Sequence, residues 1–167
     1  MKSRIFASVV VLTSLLAGEC ALAATPAAKP AAKPTAAAGK VCKLNIAGND
    51  AMQFDKKELR VAAGCVTVQL IIKHSGRLPI SAMGHNVVIT KTADAMPVNN
   101  AGMTAGIKNN HVPPDDKRVI AFTAQVGAGQ SATVSFARSL LQKGGDYTYF
   151  CSFPGHIGLM RGKLIVD

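Results

Sequence analysis

The sequence lacks an apolar run long enough to span a membrane. Residues 5–17 form a mostly apolar stretch of 13 residues, whereas a transmembrane helix needs about 20. Lys2 and Arg4 precede the stretch, and the small-x-small sequence Ala21-Leu22-Ala23 follows it. This order is typical of a secretory signal peptide. We therefore predict that residues 1–23 are a signal peptide, cleaved before Ala24, and that the mature chain has no transmembrane span.

The same region allows one alternative. Residues 16–20 read LAGEC and resemble a lipoprotein signal, in which Cys20 would be acylated and would anchor the chain to the outer membrane. Such a signal has a small residue directly before the cysteine, and Glu19 is not small. We therefore favour a free exported protein over a lipid-anchored one.

The sequence also lacks a run of Lys and Arg interleaved with aromatic residues. It has no Trp, and aromatic residues make up 5% of the chain. Residues 41–167 hold 14 Lys and Arg against 8 Asp and Glu, a net charge of +6 spread singly along the chain. A nucleic-acid interface concentrates its basic residues. The sequence therefore predicts no nucleic-acid partner and only a mild preference for acidic partners.

Residues 24–40 lack every residue type that fills a hydrophobic core. The segment reads ATPAAKPAAKPTAAAGK and contains only Ala, Pro, Lys, Thr and Gly. Such a composition is typical of a flexible linker. The remaining residues, 41–167, have the size of one domain.

The sequence has no C-x-x-C pair, a spacing typical of structural zinc sites. Cys20 would leave with the signal peptide, so the mature chain would keep Cys42, Cys65 and Cys151. An odd number of cysteines in an exported protein leaves one thiol unpaired or engaged elsewhere. Cys42 and Cys65 flank predicted strands and could pair in an oxidising compartment, which would leave Cys151.

Short runs of alternating apolar and polar residues predict β-strands. Clusters of Gly, Pro, Asn and Asp separate these runs, and many short strands broken by turns predict an all-β sandwich or barrel. The long interval over residues 91–114 breaks the pattern, and we predict one short helix there, near residues 100–108. The predicted strands are residues 42–47, 66–73, 87–90, 118–123, 132–136, 147–151 and 163–166.

The stretch FCSFPGHIGLM, residues 150–160, places three candidate metal ligands on one loop. They are Cys151, His156 and Met160. His85 is a fourth candidate, because it precedes a predicted strand, and loops at the end of a sandwich often carry function. A thiolate, two imidazoles and a thioether form the donor set of blue-copper sites. Zinc also binds Cys and His, but Met is a poor zinc ligand. For His111, beside two prolines, we expect an ordinary surface or core side chain.

The loop sequence CSFPGHIGLM resembles the copper loop of the azurins, including its spacing from Cys to His and from His to Met. The upstream sequence MGHN, residues 83–86, resembles their first-ligand segment. The similarity continues through GND at residues 48–50, MQF at 52–54 and PPDDKRVIA at 113–121. Two features differ from several azurins: the absence of Trp, with Val87 in the core position, and the Ala/Pro/Lys linker.

The resemblance implies an all-β, eight-stranded Greek-key β-sandwich of the cupredoxin type that binds one type 1 copper. It assigns His85, Cys151 and His156 as the ligands in one plane. Met160 would be the axial ligand, and the backbone carbonyl of Gly84 a weak contact on the other side.

The resemblance also assigns supporting roles. Asn86 would hydrogen-bond near Cys151, Cys42 and Cys65 would form a disulfide, and His74 would be a buried histidine beside the site. An apolar surface around His156 would be the docking patch for partner proteins. Its residues are Leu78, Met83, Met103, Pro154 and Ile157.

These features favour a monomeric periplasmic one-electron carrier that is not an enzyme. Copper would cycle between Cu(II) and Cu(I), and electrons would pass at the edge of His156 to redox proteins such as a c-type cytochrome or a copper reductase or oxidase. The alternative is a copper-binding or copper-delivery protein without electron shuttling. A fragment of an oxidase or nitrite reductase is less favoured, since those enzymes need a second copper centre.

Overall fold

The structure is a computed structural model that describes residues 39–167. The predicted signal peptide, with Cys20, and nearly all of the predicted linker lie outside the described residues. Two β-sheets pack face to face over one main hydrophobic core. None of the helices in this described part has the length and hydrophobicity needed to cross a bilayer.

Nine strand segments make up the two sheets, in the orders β2-β1-β4-β7 and β3-β9-β8-β5-β6. Both sheets are mixed, because β1 pairs in parallel with β4, and β3 pairs in parallel with β9. The segments are β1 (Val41–Asn49), β2 (Gln53–Phe54), β3 (Glu58–Val61), β4 (Thr67–His74), β5 (Val88–Lys91), β6 (Ala121–Phe122), β7 (Ser131–Ala137), β8 (Tyr147–Phe150) and β9 (Arg161–Val166).

The sequence prediction missed β2 and β3. Three residues separate these segments, yet β2 pairs with β1 in the first sheet and β3 pairs with β9 in the second. The chain therefore crosses between the sheets here, as strands do at the corners of sandwiches. Counted as one bent strand, β2 and β3 give the eight strands of the predicted Greek-key sandwich, and the fold class is confirmed.

Alternation along β4 illustrates how the core forms. Val68, Leu70 and Ile72 are completely buried, while the residues between them are only partly covered. Burying one such side chain stabilises the fold by about 1.5–3 kcal/mol. The last inward-facing residue of this strand, His74, is buried against the end of the sandwich where the candidate ligands lie.

The predicted helix bounds were wrong. The helix α2 runs Ala95–Ala105, after the one-turn helix α1 (Ile80–Met83), and a separate 3-10 turn covers Ile107–Asn109. The early start is compatible with Pro97. Proline has no backbone N–H, and the first N–H groups of a helix have no partner within the helix. A side chain at Gly102 would meet the backbone oxygen of His111 at 2.1 Å, so glycine lets the following loop pack on the helix.

The predicted strand over residues 118–123 was too long, since only Ala121–Phe122 pairs with β5. Asp116 instead accepts the backbone N–H of Arg118 and holds this stretch in a turn. Elsewhere the predicted strands agree with the structure to within a few residues at each end.

Candidate metal centre

The structure brings His85, Cys151 and His156 together at one end of the sandwich. Sγ of Cys151 lies 3.9 Å from Nδ1 of His85 and 3.7 Å from Nδ1 of His156. The three ligand atoms lie within 4.8 Å of one another, and all three residues are buried. Val88 pairs with Phe150 across antiparallel strands β5 and β8, which places the residues before β5 beside the residues after β8.

Main-chain and side-chain hydrogen bonds fix the ring of His85. Its backbone exchanges two hydrogen bonds with Val126, of 3.0 and 2.8 Å. Its Nε2 lies 2.9 Å from the carbonyl oxygen of Asn49. A carbonyl can only accept, so Nε2 carries the hydrogen and Nδ1 keeps a free lone pair near Cys151. The ring therefore presents its ligand nitrogen to the cluster before any metal binds.

Two glycines make room for the cluster. A Cβ at Gly48 would lie 2.8 Å from Cδ2 of His85 and 3.1 Å from Cε of Met160, so both side chains pack on this glycine. A Cβ at Gly84 would lie 2.7 Å from the oxygen of Ile80, a backbone atom. The carbonyl oxygen of Gly84 lies 3.8 Å from Sγ of Cys151. The sequence analysis gave no role to Gly48 beyond a turn.

Hydrogen bonds close the loop that carries Cys151, His156 and Met160. The N–H of Cys151 donates to Met160 O at 2.9 Å, and the N–H of Met160 donates to His156 O at 2.8 Å. Gly155 has φ +83°, in the left-handed region that favours glycine. The N–H of His156 donates to Phe153 O at 3.0 Å, which completes the turn. Met160 is completely buried beside the cluster.

Asn86 ties the two ligand segments together. Its Nδ2 lies 2.8 Å from Oγ of Ser152, and the N–H of Ser152 donates to its Oδ1 at 2.9 Å. Both residues are buried, and each follows a candidate ligand directly in the chain. Buried polar groups that satisfy one another in this way hold their backbones in one arrangement. The position of Asn86 is the one that the sequence analysis expects.

Asn110 is a supporting residue that the sequence analysis missed. Its carbonyl oxygen lies 3.0 Å from Nδ2 of Asn86, 3.1 Å from Oγ of Ser152 and 3.3 Å from Nε2 of Gln125. Its side-chain Oδ1 also accepts the N–H of Gln125 at 2.9 Å. Asn110 adopts φ +56°, a left-handed conformation that Asn tolerates better than most residues. The consecutive residues Asn109 and Asn110 could have indicated such a turn in the sequence.

Two further histidines lie near the cluster. The ring of His74 stacks on that of His85, with centroids 4.6 Å apart and planes 12° apart. Nδ1 of His74 accepts the N–H of Gly76 at 3.0 Å, so the Nε2 hydrogen donates to Met83 O at 2.9 Å. These two contacts fix the orientation of the His74 ring beside the site.

His111 is not the ordinary surface or core side chain that we expected. It is buried with φ +53°, and its Nδ1 has no hydrogen-bond partner among the described residues. Its ring contacts Phe153 edge-on, at a centroid distance of 5.6 Å. Burial lowers the pKa of His111, which keeps the ring neutral.

Burial also sets the protonation of the metal-free cluster. It raises the pKa of the Cys151 thiol to about 12, and with the charge of His85 it lowers the pKa of His156 to about 4. The pKa of His85 is lowered as well, chiefly by burial. Near neutral pH the imidazoles are therefore neutral and ready to bind a metal, whereas the thiol must lose its proton on binding.

The donor set fits copper. A buried sulfur and two imidazole nitrogens lie together, with the Met160 thioether and the Gly84 carbonyl beside them. Soft sulfur ligands suit Cu(I), and imidazoles suit Cu(II) as well. A structural zinc site would use four Cys or His ligands, and the described residues bring together three.

Apolar side chains surround the cluster on the protein surface. Leu78 and Met103 are 41% and 52% exposed, Pro154 is exposed and Met83 is partly exposed. Ile157, predicted for the same surface, is instead buried against α2 and β8. The exposed side chains Ile80, Ile107 and Leu159 come from the same loops and were not predicted.

The predicted disulfide between Cys42 and Cys65 is present, and Cys151 is the free cysteine of the described residues. Cys42 lies near the start of β1, whereas the carbonyl of Asn49, at the end of that strand, contacts His85. The disulfide and the candidate ligands therefore lie at opposite ends of one strand.

Comparisons with known proteins agree with this geometry. The family described as "Copper binding proteins, plastocyanin/azurin family" matches residues 40–167. The chain is 52% identical over 127 residues to Azurin-1 of Alcaligenes xylosoxydans xylosoxydans, covering 75% of this chain and 98% of that protein. It is 48% identical to the azurin of Bordetella pertussis, over 75% of this chain and 85% of that one.

A solved structure is similar as well. It is that of the azurin Az-iso2 from Methylomonas sp. strain J, with a TM-score of 0.73 and 42% sequence identity. The similarity covers 75% of this chain and 98% of that one.

Proposed function

Because this chain belongs to the plastocyanin/azurin family of copper-binding proteins, whose azurins are generally electron carriers, we propose that it is a periplasmic carrier of single electrons. Bound copper would supply a one-electron couple between Cu(II) and Cu(I). His85, Cys151 and His156 would bind the metal, and Met160 and the carbonyl of Gly84 would supply further, weaker contacts.

The observation that carries this proposal is the set of hydrogen bonds that holds the ligand segments in place. His85 is held by Asn49 and Val126, and the Cys151 segment is held by Asn86. A site held by the fold cannot readily adopt the different geometries that two oxidation states would prefer. It therefore rearranges little when an electron arrives or leaves, and this favours rapid electron transfer.

The surface above His156 would be where partners dock. His156 is only 3% exposed, and its Nε2 is neither hydrogen-bonded to a described residue nor fully buried. Phe153 lies against the same ring at a centroid distance of 4.6 Å and shields it from water. The docking patch of Leu78, Met83, Met103 and Pro154, with Ile157 buried beneath it, would bring a partner's redox centre close to this edge. A small, weakly bound contact suits a carrier that must release its partner.

The N-terminal sequence and the relatives support a periplasmic location. The signal-peptide pattern of residues 1–23 would direct export. The chain would act as a monomer that carries electrons between redox proteins, and not as an enzyme. Candidate partners are a c-type cytochrome or a copper reductase or oxidase. The intact mass of the exported chain tests the N-terminus, because cleavage before Ala24 and acylation at Cys20 give different masses.

A visible spectrum tests the metal site. We expect intense blue absorption from thiolate-to-copper charge transfer when Cu(II) is added to the wild-type chain. Cys151→Ser should lose this absorption, whereas the double variant Cys42→Ser with Cys65→Ser, which alters only the distant disulfide, should keep it. Retention of the blue band in Cys151→Ser would show that the ligand assignment is wrong.

Two rates measured on one copper-loaded sample separate a carrier from a copper-delivery protein. A carrier should exchange electrons quickly with a reduced cytochrome and lose copper slowly to an apo-protein that competes for it. The burial of all three ligands favours slow loss. Fast loss of copper with negligible electron exchange would instead favour delivery.

A further inference from the structure

Four basic residues lie on segments next to the metal site or the docking patch, and we call them the basic rim. All four are exposed, and each is adjacent to a segment that builds the metal site or the patch. They are Lys57, Arg77, Lys108 and Arg161.

Contacts place the members of the basic rim around the cluster. Nζ of Lys57 donates to the carbonyl oxygen of Leu159 at 3.1 Å, directly before Met160. Arg161 follows Met160 at the start of β9. Lys57 and Arg161 therefore both lie where the copper loop joins β9.

The other two members lie on the segments that carry the patch. The N–H of Arg77 donates to Oδ2 of Asp50 at 2.7 Å, and this bond fixes the start of the loop that presents Leu78. Lys108 is the central residue of the 3-10 turn Ile107–Asn109. The next residue after that turn, Asn110, contacts Ser152 in the copper loop, so the turn lies against the site.

None of the four basic side chains is paired with a carboxylate among the described residues. The Lys and Arg ion pairs there are Lys56–Asp55, Arg60–Glu58, Arg60–Asp167 and Arg118–Asp116. Asp50 is the carboxylate that contacts the rim, through the backbone of Arg77. The rim and Asp50 together carry a net charge of +3, half of the +6 that residues 41–167 hold.

The opposite end of the sandwich carries charges of both signs. Lys91 lies at the end of β5 and pairs with Tyr147, the first residue of β8. Lys143 lies beside that end, since the adjacent Gly144 donates to the oxygen of Val166 at 2.9 Å. Asp94 and Asp146 lie in the same turns and offset these two lysines. The four basic residues of the rim and Asp50 therefore give the metal end half of the net charge of residues 41–167.

We infer that the docking patch receives a redox protein that presents acidic side chains around an apolar spot, and that the basic rim attracts and orients this partner. The inference rests on the proposed carrier function. Complementary charges around an apolar contact raise the association rate and fix the orientation, while the apolar centre excludes water. Rim contacts remain exposed and are screened by salt, so the complex also dissociates quickly.

The test uses the copper-loaded chain and two reduced c-type cytochromes of similar potential, one acidic and one basic. In the exchange the haem iron is oxidised by one electron and the copper is reduced by one, and no bond forms or breaks. We expect the acidic cytochrome to react faster at low ionic strength, and its rate constant to fall steeply as salt is added. The basic cytochrome should react more slowly and speed up with salt.

Two double variants show which end of the sandwich affects the reaction rate. Lys57→Gln with Lys108→Gln should slow the acidic cytochrome about tenfold at low salt, at the low end of electrostatic steering. Lys91→Gln with Lys143→Gln removes the same charge from the opposite end and should leave the rate within about twofold. The blue absorption of both variants is measured, because it shows whether the copper site is intact.

The outcomes distinguish a failure of the basic rim from a failure of the carrier function. The role of the basic rim would be rejected if the two double variants reacted at equal rates. It would also be rejected if the rate with the acidic cytochrome did not depend on salt. Either result would leave the carrier function unaffected. A blue wild-type chain that exchanges electrons with neither cytochrome would overturn the carrier function and the rim together.

Discussion

The side-chain amide of Asn86 donates a hydrogen bond of 3.0 Å to the backbone carbonyl of Asn110, which lies 24 residues further along the chain. The same carbonyl contacts Ser152, so one backbone oxygen connects both ligand segments to the loop that follows α2. The left-handed backbone of Asn110 aims that oxygen at the site. The metal centre is therefore supported by three chain segments, and only two of them carry ligands.

Asn110→Ala should destabilise the chain more than Asn110→Gly. Both variants lose the hydrogen bond to the Gln125 N–H, which costs about 1–3 kcal/mol when the donor is left without a partner. Alanine alone also bears the strain of a positive φ, about 1–2 kcal/mol. Denaturant unfolding of the metal-free chain measures the difference. Equal stabilities of the two variants would mean that the left-handed backbone is not what Asn110 provides.

Gly48→Ala should disturb the copper site without any change to a ligand. The new Cβ would lie 2.8 Å from the His85 ring, so the ring or β1 must shift. Overpacking of this kind costs about 1–3 kcal/mol. We expect a weaker blue absorption and faster loss of copper. Gly158→Ala is the control, because a Cβ there meets nothing within 4 Å; if both variants behave alike, close packing on Gly48 is unimportant.

Asp116 should contribute to stability at mildly acidic pH. Hydrogen bonds from Arg118 lower the pKa of this carboxyl to about 2. A carboxyl with a depressed pKa in the folded state stabilises the fold above its unfolded pKa of about 3.9, and this stability is lost as the pH falls towards 2. Because Arg118 is 41% exposed, we expect an effect of about 1 kcal/mol.

The variant Asp116→Asn isolates that contribution. It should be less stable than wild type at pH 6, and the two chains should become similar at pH 2. Urea unfolding of the metal-free chain at several pH values measures both. A difference that stays constant from pH 6 to pH 2 would argue against the ion pair.

Removal of the disulfide should lower stability and leave the metal site unchanged. Cys42 and Cys65 close a loop with a sequence separation of 23 residues, for which the chain-entropy relation gives about 3 kcal/mol. The double variant Cys42→Ala with Cys65→Ala should therefore unfold at lower denaturant concentration while its copper-loaded form keeps the wild-type spectrum. A changed spectrum would reveal coupling along β1 that the hydrogen bonds do not predict.

The candidate ligands could be named from the sequence because their residue types and spacing occur within short segments. Cys151, His156 and Met160 lie within one loop, and His85 lies in a short segment with its own similarity to the azurins. The predictions of the disulfide and of the fold class also rested on similarity in short segments, and both were confirmed. Asn110 and Gly48 were missed because their roles arise from contacts with distant segments, which no local pattern records.

The secondary structure that was missed has a similar explanation. The segments β2 and β3 are short and belong to different sheets, so a single alternation does not run through both. The helix α2 was placed too late in the chain, and Pro97 near its start is a residue normally associated with the end of a helix. Tertiary packing, which propensity does not report, decided both cases.

The position of β9 between β3 and β8 has a consequence for the order in which the chain folds. This last described strand is internal to its sheet, and beside it Lys57 contacts Leu159 across 102 residues. The second sheet cannot close until the end of the chain has arrived, and contacts of such long range form slowly. Because Cys151 hydrogen-bonds to Met160 directly before β9, the thiol reaches its place only at this late stage. The complete ligand set is therefore available only late in folding.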